Sequence, residues 1–521
     1  MVTYNRQSAR RSIFDTVIYR AVSQVATVLG YIVMVRGMTK EDFGVYNLLY
    51  AFIPALGTLA SLGLEQTLRR YQPEYLNSGN YVAATWLVRF VSSVRFGTTV
   101  IAIALVLLAW NWVAPIFQMQ PYRLQFMAFS GLMLLHFQVS ILQLSLASRM
   151  LHRLSVGSMA LLAYGKLFAY SAFVYWDSLT LVNAIIADTV AYGLAYTSLK
   201  LLYNKNVHPG ETATGSPPSP EEKKRMVRYG FYNNFNDAGS LILNTKSDSF
   251  FIAAFIDPVS VGIYSFYNRL VEMASQLLPG RLFQNVIQPL FFAIDRSRAD
   301  EKIPRYFSLL LNVNFIIQVP ILAYSLVYHE QIVTTLFGTK FQAYSSLLPL
   351  MFFFAAINLI SVPATLVAQY EEKSSIILLS KVLAIYNVVA QVILVPFAGV
   401  FGAAIASGSA QFFKNAFIWW FVRDKARWLN FRGVLTSSLL IWSIAMGICY
   451  ALLRFVHVPA IVQLIFGGIV CAVAGLLYLR SAALSASDRD LLGGLMHGKE
   501  TKILRLIGIS AKSGAKPAAT S

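Results

Sequence analysis

Residues 244–289 read NTKSDSFFIAAFIDPVSVGIYSFYNRLVEMASQLLPGRLFQNVIQP. Lys246, Asp248, Arg269, Glu272 and Arg281 interrupt two runs that are otherwise apolar enough to cross a bilayer. A charge near the centre of a membrane helix costs roughly 2.5–3.5 kcal/mol on insertion scales, so such a group of charges needs a compensating role. The usual one is a wet, protein-lined path for a polar solute, and the rest of the chain reads as scaffolding around that path.

Composition agrees. The 521 residues are 56% hydrophobic and only 13% charged, where a soluble domain carries about 25% charged residues. Repeated apolar windows near twenty residues long make this a polytopic membrane protein, all-α in class. The net charge of +19 sits mostly in short connectors between apolar runs, where it orients the chain and meets anionic lipid. It forms no continuous basic face, so nucleic acid is not an expected partner. Cys449 and Cys471 fall inside apolar runs and read as small core residues, not as a disulfide framework or a metal site. The six scattered histidines lack metal spacing, no phosphate-cradling Gly-Lys-Ser/Thr loop is present, and no cofactor is expected. Arg6, Arg10 and Arg11 precede a run from Ile13 to Val35 that is too long for a signal-peptide core and reads as an uncleaved first span.

About fourteen spans are expected, near 13–35, 43–66, 84–110, 124–148, 154–176, 179–202, 227–255, 259–293, 304–327, 343–369, 374–397, 400–422, 433–454 and 459–480. Arginine and lysine crowd one alternate set of connectors, including Arg69-Arg70, Arg149 with Arg153, 200–228, 296–305 and 423–432, and both termini. The other set holds only Arg36, Lys40, Arg123, Lys340 and Arg454. The positive-inside rule therefore puts both termini in the cytoplasm. Outer connectors such as Trp176-Asp177-Ser178 and Phe397-Ala398-Gly399 are short. They leave no folded outer loop in which to carry out a reaction.

The longest internal connector contains PGETATGSPPSP and reads as a flexible linker. It divides an N-lobe (1–203, six spans) and a linker (204–225) from a C-lobe (226–428, six spans). Two further spans (429–481) and a cytoplasmic tail (482–521) follow. The lobes repeat weakly. Phe43-Gly44-Val45-Tyr46 recurs as Val261-Gly262-Ile263-Tyr264 at an offset of 218. Arg153 recurs as Lys373, and 183–187 as 403–407, both at 220. Both halves begin on the same side, so the repeat is parallel, with its pseudo-twofold axis along the membrane normal.

These features resemble the polysaccharide flippase branch of the multidrug/oligosaccharidyl-lipid/polysaccharide exporter superfamily, the Wzx-type O-antigen and exopolysaccharide translocases. The resemblance covers about residues 10–480. It rests on Phe43–Tyr46 with Leu62-Gly63-Leu64 and Arg69-Arg70-Tyr71 closing the same span, and on Asp248, Gly262, Tyr264, Pro279, Gln284 and Pro289. It implies two six-helix lobes around a central cavity that opens alternately to each side of the cytoplasmic (inner) membrane. It also implies an isoprenoid-pyrophosphate-linked oligosaccharide as cargo and no enzymatic activity. Polysaccharide polymerase or export machinery would be further partners, beside membrane lipid.

Such a headgroup needs cations and hydrogen-bond donors. The substrate-binding candidates are Arg20, Arg95, Lys166, Lys246 and Arg269, with Arg better suited to bidentate phosphate contact. Arg89 and Lys381, near cytoplasmic span ends, read as snorkelling side chains, and Lys414 fits either role. Asp188, Asp248 and Glu272 are pairing acids or coupling sites for H⁺ or Na⁺. Glu272 lies three residues from Arg269, which favours local pairing, whereas both readings stay open for Asp248. Tyrosines within spans either pack or stack on sugars. Rival readings are a multidrug or cation antiporter, or a peptidoglycan-precursor lipid flippase, of the same superfamily. A non-transporting membrane subunit of a polysaccharide assembly complex is the rival of another class.

Overall fold

The computed structural model describes residues 6–149, 151–206, 215–242, 245–276, 291, 294 and 296–480. Among them every regular element is helical. Eight helical stretches are long and apolar enough to cross a bilayer: Lys40–Ser61, Tyr81–Leu108, Gln120–Ser148, Ala299–Phe337, Leu347–Tyr370, Ser375–Val422, Phe431–Phe455 and Ala460–Arg480. The protein is therefore a multi-pass, all-α membrane protein, and the expected count of fourteen spans is not established.

The first expected spans become α1 (Arg6–Gly37) and α2 (Lys40–Ser61). Thr39 caps α2 by accepting from the Asp42 amide, and Glu41 and Asp42 face the positive end of its dipole. The helix does not run on to residue 66. Leu62 (φ 48°) and Gly63 (φ 70°) adopt left-handed conformations and start a separate α3, Leu64–Asn77. Arg69-Arg70-Tyr71 therefore lies on this second helix and does not close the second span. The physical reason is a close approach. A Cβ on Gly63 would collide with the carbonyl of Gly230, so only glycine fits both the backbone angle and the space.

Next come α4 (Tyr81–Leu108), α5 (Trp110–Ile116), α6 (Arg123–Ser148), α7 (His152–Tyr175) and α8 (Leu181–Asn206). The seventh expected span is two helices, α9 (Pro220–Ile242) and α10 (Thr245–Phe255). The eighth contains α11 (Pro258–Ser275). Pro279, Arg281, Gln284 and Pro289 lie outside the described residues. Beyond them run α12 (Ala299–Phe337), α13 (Leu347–Ile357), α14 (Ser361–Tyr370), α15 (Ser374–Leu379), α16 (Leu383–Val422), α17 (Phe431–Phe455) and α18 (Ala460–Arg480).

Within α16, Gly399 (φ 57°, ψ −137°) breaks the helix at the expected connector. A Cβ on Gly402 would strike the Leu394 carbonyl. Eight residues of unbroken helix would hold those two about 12 Å apart, so the chain doubles back here.

By contacts the chain divides into two units. One comprises Met1–Phe266 with Ala384–Ser407, the other Tyr267–Leu383 with Gly408–Ser521. In the first, α1 packs on α7, α7 and α6 on α8, and α2 against α4, α9 and α10. Gly44 of α2 meets the backbone of Pro258 and Val259, and a Cβ on Gly262 would stand 2.9 Å from the Gly44 Cα. The two glycines that the expected repeat would match thus lie against each other. In the second unit α12 packs on α13, α17 and α18, with the Tyr328 hydroxyl donating to the Cys449 carbonyl.

Candidate functional site

One buried polar cluster is built on α2, α7 and α8. Tyr46 and Tyr50 lie one turn apart on α2, as do Lys166 and Tyr170 on α7, so each pair presents both side chains to one face. Between them Asp188 of α8 is 0% exposed. Its Oδ1 takes the Lys166 ammonium at 3.0 Å and the Tyr170 hydroxyl at 2.5 Å. Its Oδ2 accepts from Tyr46 at 2.6 Å and also from Tyr50. Lys166, 20% exposed, donates to the Tyr50 hydroxyl at 2.9 Å and stands over the ring of Tyr192 at 5.0 Å. The cluster is saturated and neutral, so Asp188 already cancels the charge that Lys166 would offer a solute.

A second cluster gathers on α10, α11 and both arms of α16. Asp248, 0% exposed, accepts from Tyr264 (2.5 Å), Gln391 Nε2 (2.8 Å) and Ser407 (2.6 Å). The Ser407 hydroxyl also lies 3.4 Å from Asn387 Oδ1. Gln391 Oε1 is buried without a hydrogen-bond partner among the described residues.

The two clusters are related by the repeat. Tyr46 and Tyr264 stand 218 positions apart, Asp188 and Ser407 219, and both Lys166/Asn387 and Tyr170/Gln391 221. In each half a tyrosine at the matched position grips a buried aspartate, but the two aspartates come from non-equivalent helices.

The other expected cations differ in setting. Arg95 of α4 is 2% exposed and enclosed by protein, although its Nε has no hydrogen-bond partner among the described residues. It donates to the Gly57 carbonyl at 2.7 Å, lies 3.6 Å from Glu65 and covers the Phe137 ring at 4.1 Å. It presents no surface to a solute, so it is withdrawn from the substrate-binding set. Arg269 of α11 is 36% exposed and donates to Glu272 at 3.2 Å, while Asn268 donates to the same carboxylate. Lys246 is half-buried, two residues before Asp248. Lys414 on α16 is half-buried. Arg20 belongs to α1, but its side chain lies outside the described residues. No group of three His, Cys, Asp or Glu that would hold a metal occurs among the described residues.

Sequence reasoning singled out the acids and Lys166 but treated Tyr46, Tyr170 and Tyr264 as packing or sugar-stacking groups. The signal that marked them was the spacing of four in Tyr46/Tyr50 and Lys166/Tyr170. Gln391 and Ser407 carried no such signal.

A family model described as polysaccharide biosynthesis protein matches residues 10–295, more than half of the chain. The chain belongs to that family. No curated protein matches this chain. Among solved structures it is similar to the lipid II flippase MurJ in an inward closed conformation. That match has TM-score 0.64 and 10% identity over 89% of this chain and 98% of that one. It is also similar to an inward-facing multidrug resistance MATE family transporter of the MOP superfamily, with TM-score 0.62 and 14% identity over 79% of this chain and 98% of that one. At these identities the likeness is one of fold.

Proposed function

We propose that the protein is a flippase. It would carry an isoprenoid-pyrophosphate-linked oligosaccharide from the inner to the outer leaflet of the cytoplasmic membrane, by alternating access, for surface polysaccharide synthesis. The observation that carries the reading is Arg269. Its guanidinium is more than one-third exposed within a helix of the expected eighth span, and only one of its five N–H donors is engaged among the described residues. At an effective dielectric near 20, a cation 4 Å from a phosphate oxygen gains about 4 kcal/mol, which offsets part of the headgroup's lost hydration. Lys246 and Arg20 are the further candidates for this contact. The headgroup is anionic, so a negative-inside potential favours its exit by about 2.3 kcal/mol per charge per 100 mV.

Asp248 is the candidate coupling acid. It is buried, hydrogen-bonded only by neutral donors among its described bonds, and lined by an unused acceptor in Gln391. Binding H⁺ or a monovalent cation there biases one conformational state. Membership of the polysaccharide biosynthesis family supports a glycan-linked cargo over a drug or a peptidoglycan precursor.

The test is a deletion strain. Carrier-linked glycan should accumulate on the inner leaflet, and wild-type protein should clear it. Arg269→Ala should remain in the membrane at the wild-type amount and fail to clear it. Full clearance by Arg269→Ala, or accumulation of peptidoglycan precursor instead, would sink the reading.

A further inference from the structure

The two clusters invite a position-by-position comparison. The C-terminal one takes its carboxylate from α10, at Asp248, and faces it with Ser407, Gln391 and Asn387. The position 218 earlier than Asp248 is Gly30, whose backbone packs on α7 beside Lys166, where an added Cβ would stand 3.5 Å from the Leu167 Cα. The N-terminal cluster thus has no acid at that place. It has one on the opposing helix instead, at Asp188, where the C-terminal cluster carries Ser407. The carboxylate has changed sides within the same cradle. The second difference is at the α7 position, where Asn387 in one half is Lys166 in the other.

A carboxylate sealed from water needs a counter-charge or a proton. In the N-terminal cluster the counter-charge is covalently part of the chain, 3.0 Å from Asp188. In the C-terminal cluster the equivalent side chain is a neutral amide, and the positive charge that Asp248 feels is that of half-buried Lys246, two residues back on the same helix. We infer that the two clusters are copies of one cation cradle and that the Lys166 ammonium is a resident cation that fills the N-terminal copy permanently.

The consequence is functional asymmetry. The N-terminal half holds one fixed ionic state, and exchange with the medium is confined to Asp248. This rests on the coupling role given to Asp248 above, but the N-terminal cluster can be tested without it.

The measurement is melting temperature of the purified full chain in detergent. Sodium, potassium or propylammonium chloride would be titrated against tetramethylammonium chloride at constant ionic strength, and pH varied from 5 to 8. Asp248→Asn is the background, so that any response belongs to the N-terminal cluster. With Lys166 in place that protein should show no cation-specific shift. Lys166→Ala should create one: stabilisation by propylammonium, which refills the vacated site, or by a small cation or acid, which neutralises Asp188. Adding Asp188→Asn should remove it.

No response in Lys166→Ala, or a response that survives Asp188→Asn, would overturn the inference. If Lys166→Ala fails to accumulate, the charge-balanced Lys166→Met/Asp188→Asn protein decides. Recovery to the parental amount supports a resident counter-ion, and equal loss overturns it. A wild-type protein whose ion response is unaltered by Asp248→Asn would defeat the coupling role alone.

Discussion

At the scale of single residues, Arg95 and Arg269 separate two uses of an arginine within an expected span. The Gly57 carbonyl that Arg95 binds lies just ahead of the last turn of α2, and the Ala60 carbonyl that Thr98 binds at 2.7 Å lies within that turn. That turn is the negative end of the helix, whose terminal carbonyls lack partners of their own. Arg95→Ala should therefore cost about 2–3 kcal/mol, the worth of a charged hydrogen bond with its dipole contact. It would be read as a lower melting temperature and a smaller yield, with export per surviving molecule unchanged. Arg269→Ala should do the reverse. Lys166→Met leaves Asp188 uncompensated and should cost about 3–5 kcal/mol. Asp188→Asn added to it should return part of that loss, a coupling that a double-mutant cycle on melting temperature reads directly. From sequence, Arg95 and Arg269 were indistinguishable, each a cation in an apolar run. What separates them is where α2 ends, and a pattern of apolar residues does not encode that.

At the scale of elements, the apolar runs located helices well and their ends poorly. The reason is that helices end where the backbone meets a neighbour. Leu62-Gly63 looked like the interior of a span because leucine and glycine are both common in membrane helices, and the approach of Gly230 is a tertiary fact. Gly63→Ala should reduce folded yield sharply, because left-handed backbone strain adds to the collision with Gly230. Gly230→Ala, with the Thr67 hydroxyl 2.8 Å from its new methyl, should be tolerated better. Other reversals are locally written. Asp177 (φ 48°) and Asn430 (φ 60°) fall where connectors were expected, and Asp and Asn accept that conformation readily.

Charge outside the spans also ties elements together. Lys425, after α16, donates to Glu371, after α14, at 2.7 Å and lies 3.7 Å from Asp300 of α12. The hydrogen bond to Glu371 holds its pKa above the ordinary lysine value. A raised folded value means that the stabilisation is complete below about 10.4, the usual unfolded lysine pKa, and lost as pH climbs through the folded one. Lys425→Met should therefore lower the melting temperature equally at pH 6 and pH 8. The fall should correspond to less than about 1 kcal/mol, as for other partly exposed pairs.

At the scale of the whole molecule, orientation is the property that charge makes most testable. With Cys449 and Cys471 replaced by Ala, a single cysteine at Asp177 should react with a membrane-impermeant maleimide added to intact cells. One at Arg70 should react only after permeabilisation; the opposite pattern would invert the topology. The repeat was legible as three short matches, and the structure gives them a use, since the matched tyrosines Tyr46 and Tyr264 grip the two buried acids. What the repeat hid is the exchange of the acid between helices, because a residue that moves to the facing helix breaks the alignment that would reveal it.

Gly44 against Pro258 and Gly262 lies near one end of α2, and Gly63 against Gly230 lies just past the other. A body pinned to its neighbour at two points keeps a single freedom, a swing about the line through the pins, as a door turns on its hinges. In the flippase proposed above, presenting a solute first to one side and then to the other would mean drawing one pin while the other holds. Glycine at both, with no side chain interposed, makes each seam clean enough to part and to reseat.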